Sequence, residues 1–108
     1  MKEIEIINGQ KWFRLRNSQY APNKYAPVSL RDSLLKQAIK RFAALPYGKR
    51  LLLRDICGEE YWSGIKLKHI KHLAGAVFIE LVEDGLVPYV LHSRRDARPL
   101  VYRRKLHL

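Results

Sequence analysis

The stretch "IKLKHIKHLAGAVFIELVEDGLVPYVLHSRRDARPLVYRRKL", residues 65–106, decides the fold. Its first half places Leu67, Ile70, Leu73, Ala74, Val77, Phe78 and Leu81 at spacings of three and four, which predicts an amphipathic helix over about 65–84. Gly85 stands where a left-handed C-terminal cap belongs. Two β-type runs follow, "LVPYVLH" and "PLVYRRKL", so the second half predicts a hairpin. Its tip is unusual. Asn-Gly or Asp-Gly is the common hairpin turn, yet this connection reads Ser93-Arg94-Arg95-Asp96-Ala97-Arg98.

Working back from that stretch, "RDICGEEYW" suits a packed helix of two turns. Trp62-Ser63-Gly64 is expected to turn the chain, with Ser63 capping the long helix. "KRLLL" before it is a short β-like run. Residues 30–45 predict another helix, with Leu34, Leu35, Ala38, Ile39 and Phe42 on one face, stopped by Pro46 and Gly48. Ser29 and Asp32 resemble a capping box at its start.

Residues 17–29, with Tyr-Ala-Pro twice, form an extended connector, because proline disfavours helix in the residue before it. Tyr20 and Tyr25 are expected to pin it to the domain. At the N-terminus, "EIEII-NG-QKWFRLR" is a hairpin with Asn8-Gly9 at its turn.

Composition narrows the partners. Lys and Arg total 21 against 10 acidic residues, a formal net charge of +11, and such a field attracts polyanions. The one cysteine, Cys57, has no partner for an internal disulfide and reads as a small buried hydrophobe. No signal peptide or membrane-length apolar run stands out, so a cytoplasmic location is expected.

The order helix, short strand, short helix, long helix, hairpin resembles the winged helix-turn-helix superfamily. The match rests on "LLKQAIKRFAAL", "RLLLRDICGEEYW", "IKLKHIKHLAGAVFIELVEDGLV" and "PYVLHSRRDARPLVYRRKL". The expected fold class is therefore α+β. Residues 1–28 would form an N-terminal hairpin and linker, and residues 29–108 a winged-helix domain. The resemblance implies that the long helix enters a DNA major groove while the hairpin, the wing, holds the backbone or a minor groove.

On that reading Lys68, His69, Lys71 and His72 supply base readout. Arg94, Arg95 and Arg98 hold phosphates or the minor groove, and Lys66, Arg103 and Arg104 add phosphate contacts. Cations near a helix N-terminus are mildly unfavourable, which favours an outside anion at Lys66, Lys68 and Lys71. Residues 94–105 carry six basic side chains and one acid, more than a solvated tip needs. Gly75, in mid-helix, suits close packing or the close approach of an outside backbone.

The expected function is sequence-specific binding of double-stranded DNA by a small transcriptional regulator of bacterial or bacteriophage type. A homodimer through the N-terminal hairpin or an exposed Ile79 is an option. A protein-interaction module, favoured by Ile79, Trp12 and the Tyr-Ala-Pro linker, is one rival reading, and RNA binding is another. Catalysis is not expected, because no nucleophile, base and orienting group fall into a recognisable pattern. No cofactor or small-molecule ligand is expected either. His69 and His72 lack further ligands at metal spacing, so no metal is expected.

Overall fold

In the computed structural model, residues 4–15, 25–65, 68–94, 97 and 99–107 are described, residues 68–72 by their backbone alone. The chain is an α+β fold. Its strands are β1 (Ile4–Ile7), β2 (Gln10–Arg14), β3 (Tyr25–Pro27), β4 (Tyr89–Leu91) and β5 (Tyr102–Arg104). Its helices are α1 (Val28–Arg41), α2 (Leu53–Cys57), α3 (Glu59–Gly64) and α4 (Lys68–Glu83), with a 3-10 turn Phe42–Ala44 extending α1.

The first hairpin follows from its turn. Asn8 and Gly9 both take positive φ, 52° and 79°, as a type I′ turn requires. The register pairs Ile4 with Phe13 and Ile6 with Lys11. The connector contributes more than expected: Tyr25–Pro27 pairs with β2 as a third strand, setting Ala26 opposite Phe13. Phe13, Leu15 and Ala26 are buried in the same core as the helices. Tyr25 also reaches Glu5 across the sheet, its hydroxyl 3.5 Å from the carboxylate. Tyr20 lies outside the described residues.

Several helix boundaries differ from the sequence expectation. Helix α1 starts at Val28 behind Pro27, and no side chain caps it. Ser29 is thus already helical, and the expected capping box with Asp32 does not form. The reason is local, because Pro27 belongs to β3 and supplies an extended residue directly before the helix. The expected two-turn helix is two helices broken at Gly58, whose φ of 91° and ψ of 149° no other residue adopts easily. Trp62, Ser63 and Gly64 are the last turn of α3 rather than a free turn.

That break is held from α1. Gln37 donates to the Cys57 carbonyl (2.9 Å), and Arg41 to those of Ile56 (3.1 Å) and Asp55 (3.3 Å). The carbonyls that a helix end leaves unpaired therefore find partners.

At the far end of α4, the amide of Gly85 (φ 71°) bonds to the Val82 carbonyl and that of Leu86 to the Leu81 carbonyl. These two bonds form a Schellman motif.

Helix α4 meets α1, β3 and β4, so more than one side of it is covered. Leu73, Ala74, Val77, Phe78 and Leu81 are buried as the stripe predicts, while Leu67 and the Ile70 side chain lie outside the described residues. Ile79 is only 2% exposed, which overturns its assignment as an exposed dimer contact. A single apolar stripe assumes one covering partner, and α4 has at least three.

Beside α4, Phe42, Phe78, Tyr89 and Tyr102 form a run of edge-on and tilted ring contacts with centroids 5.1–6.1 Å apart. The Tyr89 hydroxyl donates to the Ala38 carbonyl at 2.8 Å.

Candidate nucleic-acid interface

The C-terminal hairpin presents two faces because side chains alternate along a strand. Its register pairs Tyr89 with Arg104, Val90 with Arg103 and Leu91 with Tyr102. Tyr89 and Tyr102 are buried, so their face lies on the core, and Val90 and Arg103 point the other way. The short run "KRLLL" reduces to one antiparallel bridge between Leu51 and Tyr102, with reciprocal bonds of 2.8 and 2.7 Å. Strand β5 therefore lies between β4 and Leu51.

The tip lacks Asn-Gly, and a serine closes it instead. The Ser93 hydroxyl accepts the Val101 amide (3.0 Å) and donates to the Arg94 carbonyl (3.2 Å). The amides of His92 and Ser93 both bond to the Val101 carbonyl, and the Ala97 amide to that of Arg94. Arg94 is exposed on this frame. Arg95, Arg98 and Lys66 lie outside the described residues, as do the side chains of Lys68, His69, Lys71 and His72.

Of the expected phosphate contacts, Arg103 is exposed, whereas Arg104 has another task. Its Nη1 donates to the carbonyls of Phe42 (3.1 Å) and Leu45 (2.9 Å), its Nε to Lys105 and its Nη2 to Leu106. Its guanidinium carbon lies 4.0 Å from the centre of the Phe42 ring. One of its five N–H donors is left. Arg104 thus fastens β5 to the end of α1, a structural task that the sequence did not signal.

Three further cationic or aromatic residues are exposed just after α1, and one of them, Tyr47, lines a concavity together with Arg103. Tyr47, Lys49 and Arg50 are exposed in "PYGKR", residues 46–50. The signal was present, since a Pro-Tyr-Gly turn followed by two cations does more than stop a helix. Lys49, Arg50, Arg103 and Lys105 make no ion pair among the described residues.

Gly75 does not pack closely, because a Cβ built there meets nothing within 4 Å. Trp12 is half-buried, and Glu80 is buried while Glu83 and Asp84 are exposed. Among the described residues no cluster of His, Cys, Asp or Glu could hold a metal, and no helix is long and apolar enough to cross a membrane. No protein-family model, curated protein or solved structure matches the chain.

Proposed function

We propose that the chain is a winged-helix protein that binds double-stranded DNA, with α4 toward the major groove and the β4–β5 hairpin as the wing. The observation that carries this reading is the Leu51–Tyr102 bridge. It sets β5 between Leu51 and β4, which supports reading the β4–β5 hairpin as a wing folded back on the segment that follows α1. The uncompensated cations Arg50, Arg103 and Lys105 supply the electrostatic footprint. On this reading Arg94, Arg95 and Arg98 contact phosphates or the minor groove, and Lys68, His69, Lys71 and His72 face the bases. The biological role that fits is a small transcriptional regulator.

The test is duplex binding across a salt series for wild type and for Arg94→Ala/Arg95→Ala. Each phosphate contact adds about 0.9 to the slope of log affinity against log salt. The double variant should lower that slope by roughly 1–2. Negligible duplex affinity at low salt overturns the proposal and turns attention to RNA or an acidic protein.

A further inference from the structure

At the base of the hairpin, away from its arginine tip, a concavity of about 280 Å³ opens between Tyr47, Val90, Arg103, Lys105 and Leu106. It lies just below the ~300–1,000 Å³ of clefts that enclose whole small ligands, so it has room for a fragment. Tyr47 is 63% exposed. Lys49 and Arg50 follow it in sequence, and both are exposed.

The wall is built, not incidental. Arg104 ties the carbonyls of Phe42 and Leu45 to β5, and Leu45 lies two residues before Tyr47. The turn bearing Tyr47 is thereby fixed against the strand bearing Arg103. Gly48, at φ 83°, lets the chain turn back sharply after the ring. Arg103 on β5 and Lys105 just beyond its end both line the concavity, and neither meets an acid among the described residues. An exposed ring fixed beside uncompensated cations is the combination that holds an unpaired nucleotide, the base stacking on the ring and the phosphate meeting the cations.

We infer that this concavity binds one unpaired nucleotide of a single-stranded nucleic acid, its base against Tyr47 and its phosphate on Arg103 and Lys105. The inference rests on the reading of the chain as a nucleic-acid-binding protein and adds a second contact distinct from the wing tip. A duplex engages this site only at a frayed, looped or extruded base, because a paired base keeps its face covered.

The experiment compares a fluorescent oligothymidylate of about eight nucleotides with an abasic oligonucleotide of the same length, using the full chain. Wild type should prefer the thymidylate. Tyr47→Ala should weaken thymidylate binding by about 5- to 150-fold, the range of one lost base–aromatic stack, and leave abasic binding unchanged. Tyr47→Phe should retain the preference. Arg103→Ala should weaken both oligonucleotides and lower the salt slope by about 0.7. Equal wild-type affinity for the two probes overturns the inference, as does an equal loss of both on Tyr47→Ala. Tyr47 is a surface residue, so the variant should keep the wild-type circular dichroism. Duplex binding of Arg94→Ala/Arg95→Ala is measured separately, so failure of the wing and failure of this site give different results.

Discussion

The guanidinium of Arg104 stacks 4.0 Å from the centre of the Phe42 ring and also donates to the Phe42 carbonyl at 3.1 Å. One side chain thereby joins the last strand to the end of the first helix. A charged donor to a carbonyl is worth about 1.5–3 kcal/mol and the ring contact about 0.5–1 kcal/mol more. Partial exposure puts the sum at the lower end, so Arg104→Ala should cost about 2–3 kcal/mol in urea unfolding. Arg104→Lys should recover little, since an ammonium cannot span four carbonyls in a plane. Arg103→Ala, one residue away on the outward face, should change stability by less than about 0.5 kcal/mol.

Tyr89 is bonded to a carbonyl that the helix itself leaves free. The Phe42 amide bonds to Ile39 as α1 tightens into its 3-10 turn, and the Ala38 carbonyl takes the Tyr89 hydroxyl instead. Tyr89→Phe should therefore cost about 1–3 kcal/mol by the same unfolding measurement. Loss of less than about 0.5 kcal/mol would show that the hydroxyl is not needed there.

Stability should fall at alkaline pH. Burial pushes the Tyr89 hydroxyl from its ordinary 10.0 to about 12, with Cys57 adding to the rise and Arg104 and Arg41 opposing it. Burial likewise pushes the Cys57 thiol from 9.0 to about 12, against a smaller pull from Arg41. Both groups hold their protons more tightly when folded, so the unfolded chain ionises first as pH rises. The contribution is complete below pH 9 and is lost as pH rises from about 9 to about 12. Urea unfolding from pH 7 upward should trace this decline, and Cys57→Ala with Tyr89→Phe should flatten it.

Two glycines should respond in opposite directions to alanine. At Gly58 the backbone lies in a region almost reserved for glycine, and a Cβ would sit 3.0 Å from the Arg41 guanidinium carbon. Gly58→Ala should destabilise by about 1–3 kcal/mol. At Gly75 the helix is regular and the added methyl meets nothing, so Gly75→Ala should stabilise by about 0.5–1 kcal/mol. If Gly75→Ala also weakens duplex binding, the glycine is there for the approach of an outside backbone.

Ile79→Ala should cost about 2–4 kcal/mol, as a buried aliphatic truncation does, and should leave the sedimentation behaviour unchanged. A cost below about 0.5 kcal/mol would return Ile79 to the surface.

Local chemistry made several features legible in the sequence alone. Asn8-Gly9 fixes a turn because both residues tolerate positive φ, and Gly85 ends α4 for the same reason. The apolar stripe of α4 and the two β runs after it follow from side-chain periodicity, which needs no knowledge of neighbours. The excess of arginine around residues 94–105 is likewise plain in the sequence.

What tertiary structure decided are the relations between distant segments. Tyr25–Pro27 becomes a strand only because β2 offers an edge, and that strand moves the start of α1 to Val28. Leu51 makes a single bridge because Tyr102, 51 residues later, meets it. Ile79 is buried because α4 is covered on more than one side, whereas a periodicity argument assumes one. Arg103 and Arg104 are neighbours with the same chemistry, yet strand alternation turns one outward and the other onto Phe42. Charge is a property of composition, but whether a charge faces a phosphate or a carbonyl depends on which surface the fold places beside it.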